Sequence, residues 1–181
     1  PGGQCLTFAK DFPVALPRRF WRTPEMARTR HAFLIRHPAD SMVSMLKSIT
    51  EDADSTGYTY FNETEMSYGE MEAMFRFVVD ELGQDPVVID HDDVMQHPEE
   101  MLRSLLQRLN IEFSSEMLHW TKPLPPHPDI WTGFFDASNR STGFGLGRPS
   151  KRHHKVPDEI AGAIEQALPI CKMLRERRLQ A

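Results

Sequence analysis

Apolar residues fall along the chain in two alternating patterns, short nearly unbroken runs and longer stripes at helical spacing. The runs are Cys5-Leu6-Thr7-Phe8-Ala9, His31-Ala32-Phe33-Leu34-Ile35 and Pro86-Val87-Val88-Ile89-Asp90, each ending beside charge or a turn former. Runs without polar alternation suit strands covered on both faces, so the pattern predicts three buried strands of a parallel sheet. Helix signals follow two of the three closely. The expected class is therefore α/β, a parallel sheet flanked by helices.

Pro38 opens the first helical stripe, with Asp40 in its first turn and Met42, Val43, Leu46 and Ile49 facing inward, ending near Glu51-Asp52-Ala53-Asp54. A second stripe over residues 65–82 carries Met71, Met74, Phe75, Val78 and Leu82 and stops at Gly83, a residue that tolerates left-handed backbone. A third runs from Pro98 to Leu109, with Glu99 and Glu100 in the first turn and Met101, Leu102, Leu105, Leu106 and Leu109 inward. The last, over 157–178, opens at Pro157 and turns Ile160, Ile164, Leu168, Cys171 and Leu174 inward, with a kink expected at Pro169. Between Thr121 and Val156 the chain is rich in Pro, Gly and aromatics, too long for an ordinary connection.

At 181 residues and 40% apolar content the chain suffices for one domain spanning 1–181, and no internal repeat divides it. It begins at Pro1 rather than methionine, which suggests a start inside a longer polypeptide or after processing. No signal peptide or membrane-spanning run is visible, so no membrane partner is expected. Cys5 and Cys171 lie far apart without metal-ligand spacing, which favours a reducing, cytoplasmic setting over a disulfide framework. Adjacent histidines such as His153 and His154 point apart, and no metal is expected. A net charge of −5 argues against general nucleic-acid binding. Positive charge is nevertheless concentrated at Arg18, Arg19, Arg22, Arg28, Arg30 and Arg36, and again from Arg148 to Lys155, which leaves local anion binding open.

The most informative stretch is Phe33-Leu34-Ile35-Arg36-His37-Pro38-Ala39-Asp40-Ser41-Met42-Val43-Ser44, where a strand delivers an arginine directly before a helix start. Free N–H groups and the dipole at that start attract an anion, and a guanidinium can clamp a phosphate through two parallel bonds. Ser41, Ser44 and Ser48 share a helix face, so Ser44 is either a further ligand group or part of a solvated stripe.

An arginine at a strand end, followed by Pro two residues later and Ser eight residues later, resembles the 3′-phosphate motif of sulfotransferases that use 3′-phosphoadenosine-5′-phosphosulfate (PAPS). Val88-Ile89-Asp90-His91-Asp92-Asp93-Val94, then His97-Pro98-Glu99-Glu100 and a leucine-rich helix ending Leu109-Asn110-Ile111-Glu112-Phe113, is similar to the succession found downstream in that family. Asn139 to Pro149 resembles the segment preceding its last helix. The resemblance implies a P-loop NTPase-like sulfotransferase core, N-terminally incomplete, moving a sulfuryl group from PAPS to a hydroxyl or amine of a small molecule and leaving adenosine 3′,5′-bisphosphate (PAP). Arg36 and Ser44 would hold the 3′-phosphate, His91 would stand near the adenine where the family has tyrosine, and Arg140, Gly143 and Arg148 would replace its basic C-terminal triplet and loop. Trp131, Phe134, Phe135 and Phe144 would wall an apolar acceptor pocket, or simply anchor the long loop.

Two departures bear on activity. No Gly-rich, Lys-bearing phosphate loop occurs in these residues, and by the resemblance the chain would begin just after it. The strand carrying that loop is central in the family's sheet, so its neighbours would be left unpaired. At Phe8-Ala9-Lys10-Asp11-Phe12 the family's catalytic histidine is replaced by Phe12, which leaves Asp11 as candidate base and Lys10 as candidate neutraliser of developing charge. These departures keep a non-catalytic binding or scaffold module in view. A nucleotide kinase is a further alternative, needing the same loop and an Mg²⁺ carboxylate among Asp90, Asp92 and Asp93.

Overall fold

The computed structural model describes residues 6–51, 66, 68–121, 141–144 and 155–180. Strand β1 (Ala32–Ile35) pairs in parallel with β2 (Val87–Asp90), in register from Ala32 opposite Val87 to Ile35 opposite Asp90. Helix α1 (Pro24–Arg28) precedes β1, and α2 (Pro38–Glu51) and α3 (Tyr68–Asp80) lie between the strands. After β2 come α4 (His91–Gln96), α5 (Pro98–Leu109) and α6 (Asp158–Arg175). Parallel strands need such crossovers, and the chain adopts the α/β class that its alternating patterns predict.

The helix limits follow from local chemistry. Two N–H groups of the first turn of α2, Asp40 and Ser41, donate to the His37 carbonyl at 3.0 and 3.1 Å, and Pro38 has no N–H to satisfy. Helix α3 gives way to a turn closed at Gly83, whose φ of 64° costs glycine nothing. At the end of α5, Asn110 takes the left-handed conformation that glycine usually fills, and the Ile111 N–H donates to the Leu106 carbonyl at 2.8 Å. Helix α6 continues through Pro169. Both Pro169 and Glu165, four residues earlier, are exposed, so the carbonyl deprived of its donor faces water.

Two apolar clusters meet on α6. In the first, Phe33, Ile35 and Val88 of the sheet pack with Met74, Phe75, Phe77 and Val78 of α3, with Trp21 and with Leu174. Phe33 meets Phe75 edge to face at 5.4 Å, and Trp21 meets Phe77 at 5.6 Å. In the second, Met42, Val43 and Leu46 of α2 pack with Tyr68 and with Ile160, Ile164, Ala167 and Cys171 of α6. Each such aliphatic or phenylalanine side chain, fully buried, stabilises by about 1.5–3 kcal/mol, so α6 joins the sheet layer to α2.

Three expectations are corrected. Residues 6–9 form no strand: Leu6 and Phe8 are 63% and 79% exposed. Cys5 lies outside the described residues. A strand gains its stability from a neighbour and a covered face, and this run has neither. The chain instead enters through turns at Pro13–Ala15 and Arg18–Phe20, fastened where the Trp21 indole donates to the Leu16 carbonyl at 3.0 Å.

Nor is β1 covered on both faces. Phe33 and Ile35 point inward while Leu34 is 55% exposed, because α3 and α6 gather on the Phe33 and Ile35 side. Among the described residues β2 is the one full strand beside β1. Of the α5 stripe, Met101 is fully buried and the four leucines are half-covered.

Two features had no sequence signal that was read. Asp90 caps the short α4 by accepting from the Asp92 N–H at 2.9 Å. Beyond α6 the chain returns to the sheet, where the Leu179 N–H donates to the Val88 carbonyl at 2.8 Å.

Candidate functional site

In open parallel sheets ligands bind beyond the carboxyl ends of the strands. Ile35 and Asp90 are paired at that end, so the next residues, Arg36 and His91, leave the sheet side by side. Arg36 stands between β1 and the 14-residue α2, where the helix dipole and the guanidinium add their positive charge. Its Nε is buried, and among the described residues it has no hydrogen-bond partner and no carboxylate pairs with it. A buried donor left unmade costs about 1–3 kcal/mol, which an incoming anion would recover.

The backbone of Arg36 is, by contrast, firmly held. The Tyr68 hydroxyl donates to its carbonyl at 2.8 Å, and the Cys171 thiol lies 3.6 Å from the same oxygen. Tyr68 is 6% exposed, and burial pushes its pKa up to about 12, against a smaller lowering by the Ser41 hydroxyl. The phenol is therefore a neutral donor at any physiological pH. Its single proton goes to the Arg36 carbonyl, and the Ser41 hydroxyl lies 2.8 Å from the phenol oxygen while also reaching the Pro38 and His37 carbonyls at 3.1 and 3.3 Å. Burial, then the neighbouring Asp90 charge, raises the Cys171 thiol pKa and keeps it protonated.

The three serines of α2 therefore divide. Ser41 turns inward to Tyr68, Ser44 is exposed, and the Ser48 hydroxyl donates to the Ser44 carbonyl at 3.1 Å. The His91 side chain is 35% exposed, with Nδ1 3.3 Å from Asp92. The acids beside it are engaged: Asp90, 3% exposed, pairs with Arg175 at 3.1 Å, and Asp93 pairs with Arg178 at 2.7 Å. Among the described residues no group of three or more His, Cys, Asp or Glu could hold a metal ion. No helix there is long and apolar enough to cross a membrane.

The remaining described candidates have local contacts of their own. Lys10 is exposed, its ammonium 4.2 Å from the centre of the Phe12 ring, and Asp11 accepts from the Phe12 N–H at 2.8 Å. Gly143 lies in a short antiparallel pairing with His119, and an added Cβ would stand 2.9 Å from the Leu118 carbonyl oxygen. Beside it the Trp120 indole donates to Ser141 at 3.1 Å, and its ring meets Phe144 edge to face at 5.6 Å. Arg140, Arg148, Trp131, Phe134 and Phe135 lie outside the described residues.

Tyr68, which holds the Arg36 carbonyl, is the contact that the sequence reading passed over. Its signal was available, since it extends the Met71, Met74, Phe75 and Val78 stripe by one turn and is the polar member of that stripe.

Arg36 thus follows the carboxyl end of a parallel strand and directly precedes a helix start in an α/β protein. A family model described as a sulfotransferase domain matches residues 24–178, and the chain belongs to that family. It is also similar to branched-chain-amino-acid aminotransferase-like proteins 2 and 1 of Arabidopsis thaliana, each 29% identical over 172 residues. Those alignments cover 94% of this chain and 28% of each relative, so the chain spans a little over a quarter of their length. No solved structure matches the chain.

Proposed function

We propose that this region, as a single domain spanning 1–181, is a PAPS-dependent sulfotransferase acting on a hydroxyl or amine of a small molecule in the cytoplasm, with Arg36 binding the donor's 3′-phosphate. The observation that carries this is the buried Arg36 Nε, without a partner among the described residues, on the residue pair that precedes α2. Ser44 offers a hydroxyl on the same helix, and His91, the residue after the Ile35–Asp90 pair, is assigned to the adenine. Arg140, Gly143 and Arg148 are assigned to the donor phosphates, Lys10 to charge neutralisation and Asp11 to proton removal from the acceptor. PAPS itself supplies the activated sulfuryl group; the chain's task is to bind, orient and neutralise.

Calorimetric titration with PAP and with 5′-AMP tests the assignment, because only the former carries a 3′-phosphate. Wild type should prefer PAP, and Arg36→Ala should lose about 10- to 100-fold of that preference, the worth of a charge-assisted pair. Equal affinity for the two nucleotides in wild type refutes it.

A non-catalytic binding module is the second reading, favoured by the exposure of Lys10 and Asp11 and by Phe12 standing where the family has its catalytic histidine. It predicts PAP binding with no release of PAP from PAPS in the presence of hydroxyl or amine acceptors.

A further inference from the structure

The Arg36 carbonyl is not used by either adjoining element. Helix α2 takes its first bonds from the His37 carbonyl, leaving the 36–37 peptide to be held from outside. Two donors reach that oxygen, Tyr68 at the start of α3 and Cys171 on α6. A peptide plane fixed at its oxygen also fixes the Cα–Cβ direction from which the guanidinium leaves. The Ser41 hydroxyl closes the arrangement, since it bonds Tyr68 at 2.8 Å and sits one turn into the helix that Arg36 precedes. Strand end, helix start and phenol are thereby joined across a sequence separation of 32.

We propose that Tyr68 is a positioning residue for the anion site: its hydroxyl, through the Arg36 carbonyl and Ser41, holds the arginine in its binding orientation. The proposal rests on the donor-site reading above but makes a separate prediction. The Tyr68 ring contributes packing in the second core cluster, and a purely structural role would end there. A positioning role adds that losing the hydroxyl alone must disorder the Arg36 side chain and weaken 3′-phosphate recognition.

The test compares the full chain with Tyr68→Phe, which keeps the ring, and with Ser41→Ala, which removes the hydroxyl that contacts the phenol. One readout is the ¹⁵N–¹H resonance of Arg36 Nε, assigned by its loss in Arg36→Lys; the other is the ratio of affinities for PAP and 5′-AMP. Tyr68→Phe should shift or broaden the Nε resonance and reduce the ratio about tenfold while 5′-AMP affinity is kept. Ser41→Ala should move both in the same direction by less.

Three results would overturn the proposal or its foundation separately. An unchanged Nε resonance in Tyr68→Phe removes the positioning role whatever the ligand does. A wild-type preference for PAP that survives Tyr68→Phe does the same. If wild type shows no preference for PAP, the donor-site reading fails, and the Nε resonance still decides whether Tyr68 orders Arg36.

Discussion

Replacing Asp90 should separate two stabilising roles that one buried carboxylate performs. One oxygen accepts from the Asp92 N–H at 2.9 Å and caps α4, and the other pairs with Arg175 at 3.1 Å. Loss of a cap costs about 1 kcal/mol. Breaking a fully buried pair costs about 3–5 kcal/mol. Here the Arg175 side chain is 33% exposed and turns to water when its partner goes, so the pair contributes about 1–2 kcal/mol.

Asp90→Ala should therefore cost about 2–3 kcal/mol, whereas Asp90→Asn, which keeps an oxygen for the Asp92 N–H, should cost about 1–2 kcal/mol. Urea unfolding followed by far-UV circular dichroism measures both, with an unchanged slope indicating that the native and denatured states are otherwise alike. Adding Arg175→Met to Asp90→Asn should cost little more than either alone, since the shared interaction is lost once. Equal losses for the alanine and asparagine variants, or an alanine loss below about 0.5 kcal/mol, would refute this division of roles.

Alkaline stability should report on Tyr68. Its folded pKa of about 12 lies above the ordinary 10.0, so its contribution is intact below pH 10 and is lost as pH rises toward 12, because the unfolded chain ionises first. Between about pH 9 and about pH 11 wild type should lose about 1.4 kcal/mol that Tyr68→Phe does not, measured by urea midpoints. Gly143→Ala should destabilise by about 1–3 kcal/mol and alter the near-UV dichroism of Trp120, because the new methyl meets the Leu118 carbonyl; an unaltered spectrum counts against the close approach. Asn110→Gly should raise the melting temperature slightly and Asn110→Val should lower it by the equivalent of about 1–2 kcal/mol, the reverse order excluding left-handed backbone there.

The resemblance that suggested the family was carried by short-range order. Arg36, Pro38 and Ser44 are joined by one strand end and one helix turn, so their relation is written in their spacing. Helices α2, α3, α5 and α6 were legible for the same reason, since a helix is built from contacts three and four residues apart. Their ends were marked by residues of special backbone geometry, Pro38, Gly83 and Asn110 among them, although only the structure gives Asn110 its left-handed turn. Leu6 to Ala9 has the same apolar character as β1 and β2 but lies exposed, because a strand's partners come from elsewhere in the chain.

What the residues determined alone is the α/β class, the four main helices, β1 and β2, and the placing of Arg36 before a helix start. The tertiary structure decided which faces are covered, that Leu34 is left exposed, and that α6 joins two apolar clusters. It also decided that Asp93 is paired with Arg178 across 85 residues, and that Arg36 is held by Tyr68 and Cys171 from other helices. Hydrogen bonds between distant segments depend on how the layers pack, and a local pattern of apolar and polar positions carries no information about which carbonyl a far-off hydroxyl will meet.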